Sequence, residues 1–114
     1  HSRDSLVELL KRLKEEGKTV AGYGAAAKGN TLLNYCQITT DLLPYLVDKN
    51  PLKQGMFTPG MHIPVLPVST LLEQQPDYLL ILAWNFAEEI MRQQSEYKAR
   101  GGKFIIPIPE AMVV

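Results

Sequence analysis

The stretch Val20-Ala21-Gly22-Tyr23-Gly24-Ala25-Ala26-Ala27-Lys28-Gly29-Asn30-Thr31-Leu32-Leu33-Asn34-Tyr35-Cys36 decides the fold. An apolar run stops at Gly22-Tyr23-Gly24, and a helix-type pattern begins at once. That order reads as strand, glycine turn, helix. It gathers free backbone N–H groups and the positive end of a helix dipole at one point, which attracts phosphate without any special side chain. Gly22-x-Gly24-x-x-Ala27 satisfies the G-x-G-x-x-G/A pattern in the strand-to-helix context that its mechanism requires. Gly22 is expected to allow the tight turn, Gly24 to let an anion approach, and Ala27 to let the helix pack on the sheet. Tyr23, Ala25 and Ala26 belong to the same turn, and Lys28 adds a positive charge in the first helical turn. The plainer reading is that these are turn and packing residues only.

Working outward, Ser5-x-x-Glu8 reads as a capping box, followed by Leu6, Leu9, Leu10 and Leu13 on one helix face. Gly17 is a natural helix stop. A strand is expected over Lys18 to Gly22 and a helix over Ala25 to Tyr35. Pro44 to Asp48 is a short strand ending in an acid. A long, turn-rich connection follows through Asn50-Pro51 and Pro59-Gly60, a length that suggests function. Ile63 to Val68 holds a brief strand whose prolines place it at an edge. Thr70-x-x-Glu73 caps a short helix. Asp77 to Ala83 is apolar without alternation, as in a strand covered on both faces. Asn85-x-x-Glu88 opens a helix with Phe86, Ile90 and Tyr97 on one side, closed by Gly101-Gly102. Phe104 to Ile106 is the last strand, ended by Pro107 and Pro109.

Strands alternating with helices imply a parallel sheet with right-handed crossovers. The expected architecture is a Rossmann-like three-layer α/β/α sandwich. Its five-stranded parallel sheet has the order 3-2-1-4-5 and is preceded by an N-terminal helix. Ligands bind such sheets beyond the carboxyl ends of the strands, where the winding reverses. Here that crevice lies between the strand ending at Gly22 and the strand ending at Ala83.

Composition narrows the function. The chain has 114 residues, 46% of them hydrophobic, enough for one domain with a true core. Twelve basic and twelve acidic residues cancel, which argues against nucleic acid as partner. No apolar run approaches the ~18 residues of a membrane span, and no signal peptide is visible. One cysteine, Cys36, excludes an internal disulfide and a cysteine-based zinc site, and fits a reducing, cytoplasmic setting. The sequence starts at His1 without Met, as a piece of a longer protein would, and His1-Ser2 reads as an added remnant.

Several residues can meet a ligand. Asp48 can accept from a ribose hydroxyl pair, or cap the turn that follows it. Lys49 and Lys53 can face phosphate, or be solvated. Trp84, Asn85 and Phe86 face the glycine turn across the crevice. Trp84 can stack on a base or belong to the core, and Asn85 is foremost a helix N-cap. His62 lies in the long connection, with a structural and a functional reading both open. No catalytic set and no metal-spaced ligands stand out.

Gly22 through Cys36 is similar to the signature of the C-terminal domain of sugar C-methyltransferases. So are Val47-Asp48-Lys49-Asn50-Pro51-x-Lys53-x-Gly55, Pro59-Gly60-x-His62-Ile63-Pro64-Val65, Asp77-Tyr78 through Trp84-Asn85, and Gly101-Gly102-Lys103-Phe104. The resemblance runs from about Leu6 to the C-terminus. It implies a parent enzyme with a zinc module, a middle domain binding S-adenosylmethionine, and this domain. Such enzymes methylate C3 of a nucleotide-linked 4-keto deoxysugar through an enolate, with the base and methyl donor in the middle domain. By this resemblance the present domain binds no cofactor itself. It holds a dTDP-type nucleotide sugar and presents it to the S-adenosylmethionine domain. The expected contacts are Gly22, Tyr23, Gly24, Ala25, Ala26, Lys28, Asp48, Lys49, His62, Trp84 and Asn85. Two alternatives stand: an NAD(P)-binding domain of an oxidoreductase, and a non-catalytic ligand-binding module.

Overall fold

The glycine-bearing stretch forms the middle of the sheet. The computed structural model describes residues 2–114, with side chains from residue 4 onward; His1 lies outside the described residues. Six strands, β1 (Val20–Tyr23), β2 (Leu46–Asp48), β3 (Val65–Pro67), β4 (Tyr78–Ile81), β5 (Lys103–Ile106) and β6 (Met112–Val113), make one sheet in the order β3-β2-β1-β4-β5-β6. The first five are parallel, and β6 runs antiparallel to β5. Gly22 stands opposite Leu46 on one side and Leu80 on the other.

Side-chain alternation divides the core into two layers, one on each side of the sheet. Val20, Leu46, Leu80, Leu82 and Ile105 pack with Leu6, Leu10 and Leu33 from α1 (Ser2–Glu15) and α2 (Ala27–Cys36). Ala21, Tyr23, Val47, Leu79, Ile81 and Phe104 pack on the other face with Leu71, Ile90 and Tyr97. These last three come from α3 (Thr70–Gln74), α4 (Ala87–Gln93) and α5 (Ser95–Ala99). The unbroken apolar run of β4 is thus explained by cover on both faces. β3 lies at the edge, as its prolines require. No helix of the described residues is long and apolar enough to cross a membrane.

Gly17 ends α1 with φ +78°, and the Lys18 N–H donates to the Leu13 carbonyl at 2.9 Å in a Schellman motif. At the end of α2, Gln37 holds the same left-handed backbone with φ 54°, closed by Ile38 N–H to Leu33 O at 3.0 Å.

The sequence reading fails at five places. The sheet has six strands, not five, because the chain turns back after Pro109 and lays Met112–Val113 beside β5. Ser5 is not an N-cap: α1 has already begun at Ser2, and the Ser5 Oγ accepts from the Ala111 N–H at 3.2 Å. Thr70 lies inside α3, whose N-cap is Ser69. Asn85 caps nothing, since it sits within a 3-10 turn over Trp84–Phe86 and α4 begins at Ala87. The single helix expected after it is broken into α4 and α5, and Phe86 is exposed rather than packed with Ile90 and Tyr97.

Tyr97 is fully buried and donates from its hydroxyl to the Pro76 carbonyl at 2.8 Å. Burial is the main force that pushes Tyr97, Tyr45 and Tyr23 above the ordinary tyrosine value of 10.0. The unfolded chain releases these protons near pH ~10 while the fold retains them. This part of the stability is therefore complete below about pH 10 and is lost as pH rises towards the higher folded values. Urea midpoints measured from about pH 9 to about pH 11 should fall, and Tyr97→Phe should fall less steeply. Parallel curves for the two proteins would refute the assignment.

Candidate functional site

The turn after β1 is held by its own protein partners up to Ala25. The Gly24 N–H donates to the Val47 carbonyl at 2.9 Å, and the Ala25 N–H donates to Asp48 Oδ2 at 2.8 Å. Asp48 closes β2, and its Oδ1 accepts from the Asn50 N–H at 2.8 Å. Of the two readings of Asp48, the turn cap is present, and a link to the glycine turn comes with it. Each carboxylate oxygen already accepts one bond, leaving only its remaining lone pairs for a ligand.

The glycines answer to packing. A Cβ at Gly22 would strike Leu46 and lie 3.2 Å from Leu82. Gly24 has φ +100°, and its Cβ would lie 3.3 Å from the Ala83 Cβ at the end of β4. The close helix-to-sheet approach expected at Ala27 belongs to Gly29, where a Cβ would come 2.7 Å from the Leu82 Cβ. Ala27 is exposed.

The open amides start one step later. Ala26 is the N-cap of α2, and no side chain caps that helix. The first four N–H groups of a helix have no partner within it. The N–H groups of the exposed Ala26, Ala27 and Lys28 therefore stand at the positive end of a ten-residue helix.

Three grooves surround this point. A cavity of about 360 Å³ is lined by Tyr23, Gly24, Ala26, Asp48, Lys49 and Glu89 among others. Its carboxylates, Asp48 and Glu89, disfavour an anion there, and Lys49 is held at 3.4 Å by Gln93. On the outer face of α2, Lys28, Thr31, Leu32, Tyr35 and Trp84 line a second groove of about 300 Å³. Beyond β4, Trp84, Asn85 and Phe86 join Glu88, Arg92 and Ile106 around a wider cleft of about 560 Å³. The Tyr23 hydroxyl is buried without a hydrogen-bond partner of good geometry, although Gln94 faces it. Burial, then the charges of Asp48 and Glu89, keep it protonated; Gln94 acts in the opposite sense.

The structure thus brings Tyr23, Gly24, Ala26, Asp48 and Lys49 together, and sets Lys28 beside Trp84. Ala25 faces a separate pocket with Asn30 and Lys53. Gly22 is buried beneath the turn. His62 lines none of these grooves. It is exposed in the 58–63 turn with φ 55°, its N–H donating to the Thr58 carbonyl at 3.0 Å.

Residues 1–109 match the family described as the C-methyltransferase C-terminal domain. The chain belongs to that family. Among its relatives is the C-methyltransferase NovU of Streptomyces niveus, 42% identical over 112 residues. That alignment covers 98% of this chain and 27% of NovU, so the chain spans about a quarter of that relative's length. In this C-methyltransferase C-terminal domain the one cysteine, Cys36, is buried in the core. Glu89, Gln93 and Asn30 are site-lining residues that the sequence did not single out. Their only signal is position: the first two lie on the helix after β4, and Asn30 is the fourth residue of α2.

Proposed function

We propose that this domain holds the diphosphate of a nucleotide-linked keto-deoxysugar, of the dTDP type, for methylation by the remainder of a longer enzyme. The observation that carries this reading is the side-chain-free start of α2 with Lys28 in its first turn, at the carboxyl end of the central strand. That edge is where open α/β sheets take their ligands. Family membership supports the reaction class. The acidic cavity beside Asp48 suits the hydroxyls of a sugar, while the cationic side by Lys28 suits phosphate. S-adenosylmethionine supplies the methyl group, and its site and any structural zinc are assigned to the other parts of the parent chain. The partner domain closes the exposed grooves over the substrate.

A ribose of NAD(P) would use the same lone pairs that the Ala25 and Asn50 amides leave on Asp48 as a sugar hydroxyl would, so binding decides between the two readings. Titration calorimetry of the 114-residue chain with dTDP, NAD and S-adenosylmethionine tests the assignment. The expected result is weak binding of dTDP, weaker or no binding of the other two, and no methyl transfer. Tighter binding of NAD than of dTDP would overturn it.

A further inference from the structure

We propose that the arm formed by residues 50–60, between β2 and β3, is the docking surface for the remainder of the longer enzyme. The surface it meets is apolar at its centre and acidic at its rim. This deepens the reading of the chain as one domain of such an enzyme and rests on it. Leu52, Met56 and Phe57 are 80%, 57% and 61% exposed, three large apolar side chains close together in the chain. Exposed apolar residues scattered singly are ordinary, whereas a group of them marks an interaction site. Leu52 and Met56 offer no hydrogen-bond donor and no aromatic face, so a sugar, a base or a diphosphate gains little from them. A protein surface gains most, because the centre of an interface is apolar and methionine and aromatic residues are enriched there.

The arm holds these side chains outward by its own bonding. The Leu52 N–H donates to Asn50 Oδ1 at 3.0 Å, and Gln54 Nε2 donates to the Asp48 carbonyl at 2.9 Å. Gly55 N–H to Val65 O at 2.8 Å and Val65 N–H to Met56 O at 2.9 Å tie the arm along β3. Thr58 is buried, and its Oγ1 accepts from the Ile63 N–H at 3.0 Å. With the backbone fastened in this way, a partner meets a surface whose ordering cost has already been met by the fold.

Position and charge name the partner. Lys53, Met56 and Phe57 line one pocket with Ala25 of the glycine turn, so the arm stands beside the proposed diphosphate seat. Whatever part of the enzyme acts on a ligand held there has to approach this edge. In NovU most of the chain lies outside the matched region, which leaves a large neighbour to do so. Residues 49–72 include Lys49 and Lys53 but no Asp or Glu, and the adjoining α2 carries Lys28 and no acid. Lysines around an apolar centre favour acidic groups on the surface that covers it.

The test is footprinting with hydrogen peroxide, which converts accessible methionine to its sulfoxide. The oxidation rate of Met56 is measured in the 114-residue chain and in the full-length enzyme, each against free methionine. Met56 should react readily in the 114-residue chain and at least about tenfold more slowly in the full-length enzyme. The double variant Leu52→Ser, Phe57→Ser changes exposed side chains only. It should leave the melting temperature and dTDP binding of the 114-residue chain unchanged, and restore Met56 oxidation in the full-length enzyme. Equal Met56 rates in the two wild-type proteins would overturn the proposal. So would protection of Met56 within the 114-residue chain, either on raising its concentration, which assigns the arm to a second copy, or on adding dTDP, which assigns it to the ligand. The diphosphate seat is read separately: no dTDP binding, with Met56 still protected in the full-length enzyme, would remove the seat and uphold the docking surface.

Discussion

Lys28→Glu should weaken dTDP binding about 100-fold and at the same time raise the melting temperature of the domain. The two effects have opposite signs for one reason. Lys28 places a cation in the first turn of α2, at the positive end of the helix dipole, where a cation is unfavourable and an anion favourable. It is exposed and, among the described residues, forms no ion pair that would offset this. Exchanging it for glutamate should stabilise the fold by about 0.5–1 kcal/mol. A phosphate at that point would lose a charge-assisted hydrogen bond of about 1.5–3 kcal/mol and gain a repulsion of about 1 kcal/mol. The sum of about 3 kcal/mol is a loss of about 100-fold. Paired calorimetry and thermal unfolding at low salt read both quantities. If stability rises and dTDP affinity stays, Lys28 is a solvated lysine and the seat is misplaced.

Gly29→Val should destabilise the domain by about 3 kcal/mol, a large part of the ~5–15 kcal/mol that holds a typical domain together. The first added atom would lie 2.7 Å from the Leu82 Cβ, which is anchored to the backbone of the central strands and cannot swing aside. Relief requires α2 to lift from the sheet. Valine also has lower helix propensity than most residues, which adds to the loss. Because α2 carries the open amides, the lifted helix should bind dTDP poorly even where the chain remains folded. Thr31→Val, two residues further along and exposed, supplies the control. Equal urea midpoints for Gly29→Val and the control would show that the close contact is soft.

The core architecture was legible because β1 and β4 announce themselves. An apolar run that meets glycine and then a helix admits few folds, and a strand apolar on both faces must lie inside a covered sheet. β6 left no such mark. Met112–Val113 is two residues long, exposed, and preceded by prolines, and it exists only because the chain folds back onto the free edge of β5. Caps were misread for a related reason. Ser5 and Asn85 carry the right side chains, but where a helix begins is set by packing as much as by propensity. At the site, the phosphate-turn template pointed to within a few residues of the uncapped start of α2 yet gave Ala27 the close packing that Gly29 performs. Asp48 had two readings in sequence because one spacing serves both a turn cap and a ribose acceptor.

Asp48 bridges the Ala25 and Asn50 amides, so the loop above β1 and the loop above β2 share one fastening. Neither can shift without straining the other. Any ligand group that orders one of these loops orders the other, and coupling of that kind is reciprocal.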